Sequence, residues 1–331
     1  CPSRRDLPTK RRSTPCLRPS NRRLRLRMAK PKPNNFGFQV EAFAWNSYVG
    51  ALSALGLERA SRWGAAIVPA IAPINSAWKT AIRNIRMSFP NESDAFHNEV
   101  RKETFAELGR MTGEFPHMPK FLDLYRQGVV EFHGKEIVEA TRGKGAVFIG
   151  GHFSNWEITS LCLAQVDPDS HFTYRPANNP IIDKYIVDTR AQFGLTLQAA
   201  KGKEGGMGLL RSLKRGRSIA LMNDQKYNAG LAVPFFGYDC MTADGPTRLA
   251  LKFKVPLIPI TGRRIEGTKF IATAYPAIQL DYTKPDDEQT VFEGVKRVNE
   301  FMEARVREAP GQWFWSHRRW PKSAWVEAGV M

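Results

Sequence analysis

Hydrophobic and polar positions follow two alternating patterns in the second half of the chain. From residue 128 onward, short apolar runs rich in β-branched residues alternate with longer stretches whose apolar positions recur at helical spacing. This alternation predicts an α/β fold, in which a largely parallel or mixed central sheet is flanked by helices. The predicted strands are Val129–Phe132, Ala146–Ile149, His171–Tyr174, Leu195–Gln198, Ser218–Met222, Leu257–Ile260 and Phe270–Ala274. The predicted helices span 154–165, 180–193, 205–215, 244–254 and 290–307.

The pattern is different before residue 128. Residues 42–57 and 63–78 carry no charge, but each stretch is shorter than the roughly 20 residues that a membrane-spanning helix needs. Aromatic residues near their ends and basic residues beside them are typical of helices at the lipid headgroup level, whereas two buried core helices would show the same pattern. We predict a helical, membrane-associating region over 28–127, which spans or lies on the membrane, followed by an α/β core over 128–331.

Positive charge is concentrated at the amino terminus. The chain has a formal net charge of +17, and residues 1–27 hold ten Lys or Arg against one Asp, which leaves +8 for residues 28–331. The first segment is proline-rich and lacks the apolar run of a secretory signal. It fits a disordered basic arm, an Arg-rich transit peptide, or upstream sequence joined to a protein that starts at Met28. We favour the last, and all three exclude the segment from the fold.

The cysteines give no metal or disulfide pattern. Cys1 and Cys16 lie in the amino-terminal segment, and neither Cys162 nor Cys240 has the spacing of a CxxC or Cys/His site. We therefore expect a reducing environment and no metal ion.

The strongest candidates for catalytic residues lie just after the predicted strand Ala146–Ile149. The strand is closed by Gly150-Gly151, so His152 lies in a turn before a helix for which Ser154 or Asn155 is a candidate cap. On a continuous helix, residues five apart are separated by roughly 140° and do not meet. If the helix begins after the turn, the imidazole can fold back onto Glu157, which gives a general base and the acid that orients it. Taken alone, the spacing is more often that of an ordinary turn histidine and a solvated glutamate.

Polar residues also follow two other predicted strands. Arg175 and Asn178 lie in the turn after His171–Tyr174, and the guanidinium of an arginine there suits a phosphate or carboxylate. Asp224 and Gln225 follow Ser218–Met222, where they could order a sugar or a nearby arginine. Each turn also fits a solvated surface loop.

Two aromatic segments leave a choice between core and ligand contact. Val233-Pro-Phe-Phe-Gly237 suits either the core or a pocket for an acyl chain. Trp313–Trp320 interleaves aromatic rings with Arg318 and Arg319, which suits either a packed terminus or a surface for anionic lipid.

Several of these segments occur in the order found in the late acyltransferases of lipid A biosynthesis, the lauroyl and myristoyl transferases within the wider glycerolipid acyltransferase group. The shared segments are His152-Phe-Ser-Asn-Trp-Glu157, Tyr174-Arg-Pro-Ala-Asn-Asn-Pro180, Asn223-Asp-Gln225, Val233-Pro-Phe-Phe-Gly237 and Trp315-Ser-His-Arg-Arg-Trp320. Asn84-Ile-Arg-Met-Ser-Phe-Pro90 resembles the amino-terminal half of that family, so the resemblance runs from about residue 70 to 321. Asn223 stands where the family often has proline.

The resemblance implies transfer of a fatty acyl chain from acyl carrier protein to a hydroxyl of a lipid A precursor, at the cytoplasmic face of a bacterial inner membrane. It implies catalysis by His152 and Glu157. The residues expected to bind substrate are Arg175, Asn178, Asp224, Gln225, Arg318 and Arg319. We expect no cofactor besides the acyl carrier protein thioester, and direct attack without an acyl-enzyme, because no Ser or Cys lies in a nucleophile elbow. The net charge of +8 on residues 28–331 suits two anionic partners, acyl carrier protein and the lipid A precursor.

Two other functions fit parts of the sequence. An acyltransferase for another membrane glycolipid or a lysophospholipid would share His152 and Glu157 but differ in its acceptor turns. A basic nucleic-acid-binding protein fits the amino-terminal charge and Trp313–Trp320. Because that charge is terminal, we expect no nucleic-acid partner.

Overall fold

The computed structural model of the chain describes residues 36–195, 198–200, 203–285 and 287–331, so the predicted extension over 1–27 lies outside the described residues. The helices are α1 (Phe36–Leu55), α2 (Leu57–Ile71), α3 (Ser76–Ser88), α4 (Asp94–Glu114), α5 (Met118–Arg126), α6 (Lys135–Glu139), α7 (Glu157–Val166), α8 (Pro180–Gln192), α9 (Lys203–Lys214), α10 (Gly245–Phe253), α11 (Glu288–Glu308) and α12 (Lys322–Glu327). The strands are β1 (Val130–His133), β2 (Val147–Gly150), β3 (His171–Tyr174), β4 (Gln198–Ala200), β5 (Ile219–Met222), β6 (Leu231–Phe235), β7 (Tyr238–Thr242), β8 (Leu257–Glu266) and β9 (Lys269–Ala274).

Seven strands form one sheet in the order β1-β9-β8-β2-β5-β3-β4. The five strands from β8 to β4 run parallel to one another, β9 is antiparallel to β8, and β1 is parallel to β9. Strands β6 and β7 form a separate antiparallel hairpin. The prediction of a mostly parallel central sheet flanked by helices is confirmed.

Both faces of this sheet are buried, and β2 shows how its residues divide between them. Val147 and Ile149 pack in the cluster that includes side chains of α9, α10 and α11, whereas Phe148 packs with α5, α6 and α7. Alternate residues of a strand point to opposite faces, so a strand covered on both sides needs an uninterrupted apolar run. Helices therefore cover β2 on both faces and leave its carboxyl end open for a site.

Helices α1–α5 precede the first strand. Helices α2 and α4 cross so closely that a Cβ added at Gly64 would lie 2.0 Å from the carbonyl oxygen of Gly109, which explains glycine at this crossing. Across the described ranges, which begin at residue 36, no helix is both long enough and apolar enough to cross a membrane.

The structure departs from the predicted elements in three places. The hairpin β6–β7 was not predicted, because Pro234 interrupts a run that otherwise has strand character. Strand β8 continues to Glu266, well beyond its predicted end, where it pairs with β9. The strand predicted over Leu195–Gln198 falls partly on residues 196–197, which lie outside the described residues, and β4 begins at Gln198.

Candidate active site

The site begins where two neighbouring parallel strands end. Gly150, the last residue of β2, pairs in register with Met222, the last residue of β5. His152 and Asp224 each lie two residues beyond these partners, so the sheet brings them opposite each other. Carboxyl ends of parallel strands are the usual place for chemistry in an α/β sheet.

The His152 side chain is held by the carboxylate of Asp224. Nδ1 of the imidazole lies 2.7 Å from Oδ1, while Oδ2 accepts the backbone N–H of His152 at 2.6 Å and the indole N–H of Trp313 at 2.9 Å. Burial alone would raise the pKa of Asp224, but the charge of His152 and the hydrogen bonds from His152 and Trp313 lower it to about 2. The carboxylate is therefore ionised and only accepts hydrogen bonds.

This arrangement determines which ring nitrogen of His152 is open. Because Asp224 is an acceptor, Nδ1 carries the proton, and in the neutral ring Nε2 has the free lone pair. Nε2 lies 3.4 Å from Nε2 of Gln225, a long and weak contact. Nε2 is thus the atom available to accept a proton.

Glu157 has a different partner from the one predicted. It begins α7 and is 3% exposed, and both of its carboxylate oxygens accept bonds from Arg190 of α8, at 3.0 Å from Nε and 2.6 Å from Nη2. Burial alone would lower the pKa of Arg190, but Glu157 raises it above its usual value. The prediction that Glu157 orients His152 is wrong, because Asp224 holds that position.

The turn after His152 rests on a buried ionic network. Ser154 has a φ of 46°, a left-handed conformation that costs a non-glycine residue free energy. Its hydroxyl donates to Glu107 of α4, and the amide of Asn155 donates to Glu114 at 2.8 Å. Arg264 of β8 binds Glu107 at 2.9 Å and Glu114 at 2.7 Å, so one guanidinium bridges the two buried acids. This network joins α4 and β8 to the turn, and the non-helical Ser154 explains why α7 begins at residue 157 rather than at 154.

The carboxyl-terminal segment closes over the same turn. Phe153 forms a β-bridge with Trp313, and the backbone N–H of Phe314 donates to the carbonyl of His152 at 3.0 Å. The rings of Trp156 and Phe314 lie 4.8 Å and 6.1 Å from the imidazole. His152 is therefore fixed by its backbone as well as by Asp224.

A cavity of about 220 Å³ opens beside His152 on the side of β3 and α8. Its apolar lining comes from Trp156, Phe172, Leu195 and Met222, and its polar lining from His152, Glu157, Ser160, Thr173, Tyr174, Arg175, Arg190 and Gln225. A small apolar cavity of about 40 Å³ shares Ser160, Phe172, Thr173 and Met222 with it. The larger cavity therefore combines an imidazole, the two arginines Arg175 and Arg190, and an apolar wall.

Comparison with known proteins identifies the family. The family described as bacterial lipid A biosynthesis acyltransferase matches residues 37–322, which is most of the chain. The chain belongs to this family. The resemblance seen in the sequence motifs is thereby confirmed, and the protein is an acyltransferase of lipid A biosynthesis.

Named relatives of this acyltransferase are distant. The lipid A biosynthesis lauroyltransferase of Escherichia coli K12 is 25% identical over 249 residues, which cover 73% of this chain and 78% of the relative. The palmitoleoyltransferase of the same organism is 23% identical over 245 residues, with 72% and 77% covered. Its myristoyltransferase is 24% identical over 247 residues, with 72% and 74% covered.

The other predicted substrate-binding residues of the acyltransferase fall into different environments. Asp224 and Gln225 both contact His152, as described above, and Arg175 lines the cavity. Asn178 is exposed in the same turn as Arg175, and Arg318 is exposed near the carboxyl terminus. The roles of Arg175, Asn178, Gln225 and Arg318 toward substrate stay predictions.

Arg319 lies in the core. It is fully buried and donates to the carbonyl of Met241 at 3.0 Å and to the hydroxyl of Thr242 at 2.7 Å. The structure therefore corrects the expectation that Arg319 contacts substrate, because its guanidinium is enclosed by protein and holds the end of β7. Phe235 and Phe236 are also buried, where they pack with Trp320, so the aromatic pair belongs to the core rather than to an acyl pocket.

Sequence reasoning missed the residues that join distant parts of the chain at this site. Arg190, Glu107, Glu114 and Arg264 carried no local signal, because charged residues on predicted helices and strand ends are usually solvated. In the part of the chain that the structure describes, no three His, Cys, Asp or Glu side chains are grouped so that they could hold a metal ion.

Proposed function

We propose that this acyltransferase moves a fatty acyl chain from the thioester of acyl carrier protein to a hydroxyl of a lipid A precursor, with His152 as the general base. One observation carries the proposal: the Nδ1 of His152 is held at 2.7 Å by the buried carboxylate of Asp224, with Gln225 beside Nε2 at the cavity. A secondary hydroxyl is a weak nucleophile, so a positioned base is the first requirement of the reaction.

The reaction follows from this geometry. Nε2 of His152 takes the proton of the acceptor hydroxyl as its oxygen attacks the thioester carbonyl carbon. Asp224 stabilises the imidazolium that forms. The tetrahedral intermediate collapses with cleavage of the carbon–sulfur bond, and the imidazolium returns the proton to the leaving thiolate. The products are an ester and a thiol, and His152 is again neutral.

The negative charge of the intermediate needs a donor within the cavity. The first amides of α7 are already engaged, because the N–H of Glu157 donates to the side-chain oxygen of Asn155 and the N–H of Ile158 donates to the backbone carbonyl of Asn155. Arg175 and Gln225 line the cavity beside His152 and are the donors we assign to the oxyanion. Glu157 then acts by holding Arg190 at the cavity wall, as a positioning residue.

Direct transfer fits the surroundings of the thiol in α7, the helix that follows His152. Cys162 is fully buried within α7, and burial raises the pKa of its thiol well above the ordinary value. A thiol kept protonated and enclosed by protein is a poor nucleophile. We therefore propose attack on the thioester without an acyl-enzyme and without a cofactor.

An apolar stripe supports contact with a membrane. Helix α2 exposes Trp63, Ile67 and Ile71 at spacings of four residues, with Arg59 and Arg62 exposed beside them. Exposed apolar residues next to basic ones favour the headgroup region of an anionic bilayer. We propose that these residues contact the cytoplasmic face of the inner membrane, where both the acyl carrier protein and the acceptor are accessible.

The test is an acyl-transfer assay with the full chain, acyl carrier protein charged with lauroyl, myristoyl, palmitoyl or palmitoleoyl chains, and a tetra-acylated lipid A precursor that carries its inner sugars. We expect ester formation, and His152→Ala should lower kcat by about a hundredfold or more. Lys296→Ala is the control, because Lys296 is partly exposed on α11, pairs with Glu300 and lies outside the cavities at this site. If the parent makes no product with any donor, lipid A precursor is not the acceptor. If His152→Ala matches the parent, His152 is not the base.

A further inference from the structure

A second cavity lies on the other side of the His152 turn. It has a volume of about 320 Å³, and Phe153, the residue after His152, lines it together with Thr261 and Gly262 of β8. In the register of β8 against β2, Leu257 pairs with Val147, so Thr261 and Gly262 lie level with the turn at residues 151–152. The two cavities therefore flank the catalytic turn at the same edge of the sheet, one toward β3 and the other toward β9.

The floor of this second cavity is built by three strands in register. Thr273 of β9 pairs with His133 of β1 on one side and with Thr261 of β8 on the other, so three polar side chains form a row across the sheet. Arg263 of β8 lies two residues along from Thr261 on the same face, and Tyr275 lies two residues along from Thr273. A row of hydroxyl, imidazole and phenol groups provides hydrogen bonds to a polyhydroxylated ligand.

The wall of the cavity comes from the end of α11. Arg305 is 22% exposed, and its guanidinium lies 5.1 Å from the ring of Tyr275. One of its nitrogens binds Glu308 at 2.5 Å, while its Nε is buried and has no hydrogen-bond partner. Arg263 on the floor is exposed. The lining of the cavity thus includes two arginines and a single carboxylate, that of Glu308.

Both cavities mix apolar and polar groups, so their ligands are assigned from what lies next to each. The cavity beside His152 also contains two arginines, but it shares Phe172 and Met222 with the small apolar cavity of about 40 Å³, which suits an alkyl chain. The second cavity combines hydroxyl groups and an aromatic ring with arginines, which suits a sugar that carries a phosphate.

We propose that the second cavity binds a phosphorylated sugar, the head group of the acyl acceptor, with Arg263 and Arg305 on the phosphate and Thr261, Thr273 and Tyr275 on the sugar hydroxyls. The assignment rests on the proposed function, since it takes the acceptor to be a phosphorylated glycolipid.

The kinetic test uses Arg263→Gln and Arg305→Gln, with Lys269→Gln as the matched control, because Lys269 is an exposed cation of β9 outside the cavity. A charged hydrogen bond to phosphate contributes about 1.5–3 kcal/mol, so each cavity substitution should raise the acceptor KM by about tenfold or more. The donor KM should stay within about twofold. An increase confined to the donor KM, or an unchanged acceptor KM in both variants, overturns the proposal.

A binding measurement separates this proposal from the assignment of the overall reaction. Saturation-transfer NMR on the full chain uses glucose 1-phosphate, glucose and inorganic phosphate as probes. We expect a signal for glucose 1-phosphate that Arg263→Gln and Arg305→Gln weaken about tenfold and Lys269→Gln leaves unchanged. Equal glucose 1-phosphate signals in the parent and in all three variants overturn the proposed sugar phosphate site, even where acyl transfer succeeds. Transfer that fails in the parent while this signal persists contradicts the acceptor assignment and leaves the sugar phosphate site standing.

Discussion

His152 and Asp224 are 72 residues apart in the sequence, yet the imidazole Nδ1 and the carboxylate Oδ1 lie 2.7 Å apart. Their contact exists because β2 and β5 are neighbours in the sheet and end at the same level. The proposed base and the carboxylate that orients it are thus brought together by strand order. Asp224 is a stronger candidate than Glu157 for the partner of the base.

The first prediction concerns Asp224→Asn. The amide keeps the shape of the side chain but can donate to Nδ1, which favours the tautomer with its proton on Nε2 and removes the lone pair facing the cavity. We expect kcat to fall by about a hundredfold or more, with the acceptor KM changed little. Steady-state kinetics at several pH values measure both quantities.

Asp239→Asn is the matched control for this substitution. Asp239 is an exposed residue of β7 in the same sequence region, so its amide variant should keep the activity of the parent. Activity of Asp224→Asn equal to that of the control would show that the tautomer of His152 is maintained by another group.

The second prediction concerns stability in acid. A carboxylate whose pKa in the folded protein, about 2, lies below its ordinary value of 3.8 stabilises the fold above pH 4, and this contribution disappears as the pH falls through about 2. The difference amounts to about 2 kcal/mol, because one pKa unit corresponds to about 1.4 kcal/mol. Asp224→Asn should therefore be less stable than the parent at pH 5, and the two should converge between pH 4 and pH 2. Urea denaturation at each pH measures the difference, and a gap that stays constant across this range contradicts the assignment.

The sequence was informative about the site wherever the signal was local. The apolar run before Gly150-Gly151 correctly indicated a strand, a turn and a helix around His152, and the polar residues Asp224 and Gln225 were correctly placed at another strand end. The order of strands in a sheet is not local information, because it depends on packing between segments far apart in the chain. Glu157 was chosen as the partner of His152 because it was near in sequence.

The buried ionic contacts were hidden for a related reason. Arg264 reaches Glu114 across 150 residues of sequence and Glu107 across 157, and nothing near any of the three distinguishes it from a surface charge. Arg319 gave a misleading signal, since a basic run beside tryptophans resembles a surface for anionic ligands. Its neighbour Arg318 is exposed, so one of two adjacent arginines points to solvent and the other into the core.

The third prediction concerns the pair Glu157–Arg190. Both side chains are largely buried, so Glu157→Gln or Arg190→Gln alone leaves one charge without its partner and should destabilise the protein by about 3 kcal/mol. The double variant should be less destabilised than the sum of the single variants by about 1 kcal/mol or more. Denaturant unfolding of the four proteins measures this coupling.

The same variants test whether Glu157 acts through Arg190. Residues that act as a unit lose their function together, so the double variant should be no slower than the slower single variant. Glu157→Gln combined with Asp224→Asn should instead show the product of the two separate rate losses. If the rate loss of Glu157→Gln multiplies with that of Arg190→Gln but not with that of Asp224→Asn, Glu157 acts on His152 directly.

The fourth prediction compares the neighbours Arg318 and Arg319. Arg319→Met removes a buried guanidinium, which leaves the carbonyl of Met241 without this donor and the hydroxyl of Thr242 with only the donor from Asn299, so the free energy of unfolding should fall by about 3 kcal/mol. Arg318→Met removes an exposed cation and should change stability by less than about 0.5 kcal/mol. If Arg318 binds the anionic acceptor, its variant should raise the acceptor KM several-fold, whereas folded Arg319→Met should keep the KM of the parent. Thermal unfolding and acyl-transfer kinetics on both variants measure these effects. The reverse pattern, with a stability loss at Arg318 and a KM effect at Arg319, contradicts the placement of both side chains.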